Sequence, residues 1–168
     1  MNLFGAKTRI VPADQARVYN LRLGEARILV DGKQSGGALW MGVFRLEPGF
    51  LTPVHKHVPM DEHFFVLNGV LSLFLDKRWR NLDAGASAII PRGVAHAQGN
   101  FGKQTVSLLS MGKPAGFERF FAAQHEILSR LSDKAPDSLA KIAALVSQFD
   151  TEVLGPAPLI GSSASAVS

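Results

Sequence analysis

The chain has 168 residues, of which 46% are hydrophobic and 19% charged, enough apolar content for one globular domain with a core and too little charge for global disorder. Its 18 basic and 14 acidic residues leave a formal charge of +4, but no run of Lys and Arg is long enough to form a nucleic-acid or membrane patch, so neither partner is expected. Cysteine is absent, which excludes disulfides, thiolate zinc sites and cysteine nucleophiles.

The opening residues, MNLFGAKTRIVPADQ, lack the apolar run of a signal peptide, and no segment approaches a membrane span. A cytoplasmic protein is therefore expected. From Thr8 to about Met111, short apolar runs alternate with turn signals. ARILV precedes DGKQSGG, and GALWMGVFRLE precedes PGF. EHFFVLNGVLSLFLD contains Asn68-Gly69, the dipeptide of a two-residue hairpin. RWRNL, SAIIP and QTVSLLSM complete the series. So many strands without intervening helical periods predict an antiparallel sandwich or barrel.

The pattern then changes. Phe117, Phe120, Phe121, Ile127, Leu128 and Leu131 fall at helical spacing. A second helix is expected after Asp137, a suitable N-cap, with Leu139, Ile142, Ala143, Val146 and Phe149 on one face. Both helices are expected to pack on the barrel's outer wall or on a dimer partner, their phenylalanines serving as core. The boundaries are a barrel over 1–112, a two-helix extension over 113–155 and a disordered tail over 156–168.

Chemistry concentrates in PVHKHVPMDEHFFVLNG, residues 53–69, which holds three of the five histidines. On a strand, His55 and His57 project to the same side. Glu62 follows on the next strand, and the kink at Val58-Pro59-Met60 lets it return toward them. Two imidazoles and a carboxylate in a dry cavity suit a divalent transition metal, whereas a buried, unpaired Glu62 anion would be costly. A His-x-His pair alone fits a polar strand edge equally well.

A second stretch, GASAIIPRGVAHAQGN at residues 85–100, adds His96. Gly49-x5-His55-x-His57-x4-Glu62-x6-Gly69 resembles the first motif of the cupin superfamily at every fixed position. Gly85-x5-Pro91-x-Gly93-x2-His96-x3-Asn100 resembles the second. The resemblance implies an all-β fold, a single cupin barrel (a double-stranded β-helix, or jelly roll) with a short C-terminal helical extension. It also implies that His55, His57, Glu62 and His96 hold one divalent transition metal per chain: Fe, Mn, Ni, Cu or Zn. His63 and Asp61 alternate with Glu62 and are expected to face away from the pocket, and His125 to lie at the surface.

By strand period, Phe64 and Val66 point inward with Glu62, and Gln98 and Asn100 with His96. Trp40, Phe44, Met60, Phe64, Leu73 and Gln98 are the candidate substrate-binding residues, an apolar and aromatic lining suited to a small hydrophobic ligand. PAGFERFF and the late EVLGP resemble small single-domain cupins of the quercetin-dioxygenase-like group. That resemblance implies a metal-dependent oxygenase acting on a small aromatic or enolic substrate, with Glu62 as ligand and general base. The alternatives are an isomerase, cyclase or lyase using the metal as Lewis acid, and a non-catalytic small-molecule-binding protein. A homodimer is expected.

Overall fold

A computed structural model describes residues 10–130 and 136–159. Its elements follow in the order β1 (Arg17–Asn20), β2 (Gly24–Val30), α1 (Gly32–Ser35), β3 (Trp40–Leu46), β4 (Val54–His57), β5 (Asp61–Asn68), β6 (Val70–Leu75), β7 (Arg78–Asp83), β8 (Ser87–Ile90), β9 (Ala97–Gly99), β10 (Val106–Lys113), α2 (Glu118–Arg130), α3 (Pro136–Val146) and β11 (Thr151–Gly155). One sheet has the order β1-β2-β3-β10-β5-β8. The other wall joins β7-β6-β9 to β4-β11 through backbone bridges Leu51–Gly99 and His55–His96. All pairings are antiparallel and most link strands distant in sequence, as a jelly roll requires.

Alternation explains the closure. Along β3, Trp40, Phe44 and Leu46 are buried, and along the partner strand β10 so are Val106, Leu108 and Ser110. Phe64 and Val66 of β5 face Leu71 and Leu73 of β6 in the same core. At Gly112 on β10, a Cβ would run into Trp40 and Met60, so only glycine lets Trp40 Nε1 donate to Met60 Sδ at 3.1 Å.

Asn68-Gly69 does not make the expected hairpin. β5 and β6 pair with different partners, and Gly69, at φ +81°, turns the chain from one sheet into the other. A Cβ there would sit 3.1 Å from the Thr105 carbonyl, so the dipeptide serves a tight corner instead. The two-residue hairpin lies between β6 and β7, at Asp76 and Lys77, both with positive φ. Asp-Lys carries no glycine to announce it.

The first of the two expected helices, α2, packs on the barrel, and the cavity shows at which face. The helices close the mouth of the barrel: Phe121 of α2 lies 5.0 Å from Phe44 and 5.6 Å from Trp40, ring centre to ring centre. Buried Glu118 fixes the start of α2, its carboxylate accepting from the amides of Gly32 (2.9 Å) and Gly116 (2.6 Å). His125 is half-buried rather than a free surface group. Its Nδ1 accepts from the Asn20 amide at 3.0 Å, tying α2 to β1. An apolar stripe reports that one face is covered, not what covers it.

Two further segments depart from expectation. Thr151–Gly155, read as the end of the helical extension, is a strand that pairs with β4, with Lys56 and Glu152 bridged at 2.9 Å. The start of the expected tail is docked, since Trp79 Nε1 donates to the Pro158 carbonyl at 2.9 Å. Leu131 and the tail from residue 160 lie outside the described residues, as do the side chains of Asp137 and Leu139.

Candidate metal centre

β4 alternates half-buried and buried residues, and the buried pair is His55 and His57. His96 sits opposite His55 in a reciprocal backbone pair, His55 N to His96 O at 2.8 Å and His96 N to His55 O at 2.9 Å. That pairing brings their rings to 4.3 Å between centres. Glu62 comes from the facing sheet, across the barrel, and its Oε2 lies 3.3 Å from His57 Nε2 and 3.1 Å from His96 Nε2. One potential ligand atom from each of the four residues lies within 4.8 Å of the other three, and all four side chains are buried. The four residues expected to be ligands are thus brought together from one strand of one wall, one strand of the other and the turn before β9.

The outer nitrogens set the tautomers. His55 Nδ1 meets the Pro53 carbonyl at 2.9 Å and His96 Nδ1 the Val94 carbonyl at 3.0 Å. A carbonyl only accepts, so both Nδ1 atoms carry the proton. His57 Nδ1 lies 2.9 Å from Thr151 Oγ1, whose hydroxyl donates to the Phe149 carbonyl at 3.1 Å. With its hydrogen committed there, the hydroxyl accepts from His57 Nδ1. In the neutral rings, all three Nε2 lone pairs are therefore left for the interior, facing a carboxylate. That arrangement repels itself unless a cation stands among the four, and His57 Nε2 is a buried nitrogen without a hydrogen-bond partner. Three imidazole nitrogens and one carboxylate oxygen form a donor set for a first-row divalent ion.

The protonation tendencies have the same origin. Burial, reinforced by His96, lowers the pKa of His55 to about 4. Burial works to raise that of Glu62, but His57 and His96 outweigh it and hold the carboxyl well below its usual range. For His96, burial works downward and Glu62 outweighs it, so its pKa is raised. Because His55 is depressed in the fold, its contribution to stability is intact above the unfolded value of 6.5 and is lost as pH falls toward about 4. His96 acts in the opposite sense. Comparison of metal-free wild type with His55→Leu isolates the His55 part. Between pH 7 and 5 the variant is expected to gain about 2 kcal/mol relative to wild type in urea melts, and a pH-independent difference would refute the neutral buried ring.

Thr151 is the residue sequence reasoning missed. Nothing in TEVLG marks a strand that returns to β4, and the only hint was the loose resemblance of EVLGP to small single-domain cupins. Thr151→Val keeps the shape and removes the acceptor. Metal affinity is expected to fall by about 10–100-fold, measured by chelator competition, and unchanged affinity would show that the hydroxyl does not orient His57.

His55, His57 and Glu62 open onto a cavity of about 480 Å³. Of the six expected substrate-binding residues, Phe44, Phe64 and Gln98 line it. Trp40, Met60 and Leu73 do not; they are packed in the core behind its wall. Asn100 is also occupied structurally, donating to the carbonyls of Leu46 and Gln104, both at 2.8 Å. His63 is half-buried on the opposite face of β5. Asp61 is bound by Arg92 through both oxygens (3.0 and 2.9 Å) and accepts from the Arg92 amide, which keeps its carboxyl well below the usual range and pins β5 to the turn before His96. The helical cap supplies wall residues that the barrel pattern could not reveal, among them Phe117, Phe120, Phe121 and Gln124. Phe117 packs edge-on to His57 at 4.6 Å.

Residues 42–112 match the family model described as the cupin domain. No curated protein matches the chain. Among solved structures, the chain is similar to KdgF from Halomonas sp., with 13% identity and a TM-score of 0.59 over 67% of this chain and 99% of that one. It is similar to the polyketide cyclase RemF from Streptomyces resistomycificus, with 23% identity and a TM-score of 0.57 over 64% and 80%. A sugar phosphate isomerase of the cupin superfamily from Silicibacter pomeroyi DSS-3 gives 22% identity and a TM-score of 0.55 over 64% and 77%. At these identities the likeness is one of fold, and the fold is the cupin jelly roll.

Proposed function

We propose that this cupin barrel is a metal-dependent oxygenase of the quercetin-dioxygenase-like kind, acting on a small aromatic or enolic substrate. The observation that carries the proposal is the cavity: a three-histidine, one-glutamate cluster opens into a chamber whose walls include Phe44, Phe50, Phe64, Phe117, Phe120 and Phe121. Such walls suit a flat apolar ring better than a sugar phosphate. A divalent ion, when bound by His55, His57, Glu62 and His96, supplies Lewis-acid stabilisation of a substrate oxygen anion.

The chain's own groups divide the remaining work. Glu62 directs Oε2 toward His57 and His96, while Ser110 Oγ approaches Oε1 at 3.4 Å. Oε2 thus faces the ligand cluster, and the base role for an enol or phenol hydroxyl falls to Oε1, which accepts from Ser110 Oγ. Phe117 holds the His57 ring edge-on, and with Phe120 and Phe121 it gives the chamber an apolar wall.

A second proposal is isomerisation, cyclisation or lyase chemistry, since the same Glu62 base and apolar walls serve a Lewis-acid step without dioxygen. The polyketide cyclase and the sugar phosphate isomerase noted above share the barrel fold. The deciding experiment measures oxygen uptake alongside product formation. Protein loaded in turn with Fe, Mn, Ni, Cu and Zn is supplied with 3-hydroxyflavone, a flat ring bearing an enolic hydroxyl. Uptake stoichiometric with product supports the oxygenase; turnover without uptake transfers the assignment to the Lewis-acid class. Tight binding with no turnover under any metal would make the chain a binding protein.

A further inference from the structure

The cavity does not end at the metal cluster. Phe117 touches His57 at one end of α2, and seven residues later, roughly 10 Å along the helix, stands Gln124. Leu21, Arg22 and Leu23, in the turn between β1 and β2, line the same cavity as Gln124. The neighbouring His125 is bonded to Asn20 at the edge of that turn. Gln124 therefore marks the far end of a chamber whose near end is the cluster.

Its side chain is out of character for that position. Gln124 is only 9% exposed and its side chain makes no hydrogen bond with any described residue, whereas the other polar side chains nearby are engaged. Glu118 is bound to two amides, His125 to one, and Gln98 Oε1 accepts from Thr52 Oγ1 at 3.2 Å. Its amide is not sealed off, since among the described residues His57 Nε2 is the one fully buried side-chain nitrogen or oxygen without a partner, and the surface Gln124 keeps belongs to a residue lining the cavity. Where such a group faces a cavity, a ligand is the natural partner.

We propose, building on the aromatic-substrate assignment above, that Gln124 is a specificity-determining residue. It would hydrogen-bond a hydroxyl at the edge of the substrate remote from the metal-binding oxygen. An amide both accepts from and donates to a hydroxyl, so one contact satisfies both halves of the side chain. The substrate is accordingly an elongated ring system, polar at both ends and apolar between, with the phenylalanines covering its faces. Gln124 lies outside residues 42–112, so discrimination belongs to the helical cap while the metal cluster belongs to the barrel.

The test uses the full chain loaded with zinc, which binds the probes without redox turnover. Two probes are titrated by fluorescence: 3-hydroxyflavone and the same compound with an added 4′-hydroxyl. Wild type is expected to bind the dihydroxy probe at least ~5-fold more tightly, the size of one satisfied hydrogen bond. In Gln124→Leu that ratio should fall to about one through loss on the dihydroxy probe alone. Gln124→Met, similar in length, should give the same result. The melting temperature of the ligand-free variants should hold or rise.

An unchanged ratio in the variants, no discrimination or no binding by wild type, or loss of structure in both variants would overturn the proposal. Repeating the titrations after metal removal separates it from its premise. Equal affinity with and without zinc would sink the metal–substrate assignment, while the ratio would still report on Gln124.

Discussion

Replacing His96 with alanine is expected to weaken divalent-metal binding by more than about 100-fold while leaving a folded barrel. His96 is fully buried, and its Nε2 stands 3.1 Å from Glu62 Oε2 inside the cluster, so its loss removes one of four converging donors. The metal-free fold is expected to lose stability on the order of 1–3 kcal/mol, because the Val94 carbonyl and Glu62 Oε2 each lose a hydrogen-bond partner. His57→Ala should rank close behind, and Thr151→Val well below both. Metal content after gel filtration, chelator competition and a melting curve together read these outcomes. Full metal occupancy in His96→Ala, with an intact fold, would remove this histidine from the donor set.

Glu62→Gln should separate holding the metal from doing chemistry. The amide keeps one oxygen as a ligand, so affinity is expected to stay within about tenfold of wild type. It cannot take a proton at neutral pH, and activity should fall by about 10²–10⁴-fold. The metal-free variant is expected to be at least as stable as wild type, since an amide N–H can donate to the Nε2 lone pairs of His57 or His96 that the carboxylate opposes. Turnover at the wild-type rate in the metal-loaded variant would show that Glu62 carries no proton.

The local periods that reveal strands also revealed most of the cluster. His55 and His57 share a strand face by their spacing, and Glu62, Phe64 and Val66 alternate inward on β5 as the two-residue period requires. The same reasoning erred where a residue's role depends on its partner. Trp40, Met60 and Leu73 do point inward, yet they are enclosed by other side chains and leave the cavity to Phe44, Phe64 and Gln98. Asn68-Gly69 has the composition of a hairpin and serves a corner, because a positive φ is needed in both. The helical stripe that begins at Phe117 was legible as a buried face, but its position over the barrel mouth was not.

From the sequence alone came the barrel class and the apolar character of the surroundings, which follow from spacing along single strands, and the four residues fit to bind a metal, which came through the resemblance of two motifs to those of cupins. Only the folded chain decided which nitrogen of each imidazole faces the interior, since that depends on Pro53, Val94 and, across 94 positions, Thr151. It also decided that two C-terminal helices close the chamber and bring Gln124 to its far end. Contacts between segments so distant along the chain leave no periodic trace, because neither partner need follow the other at any set interval.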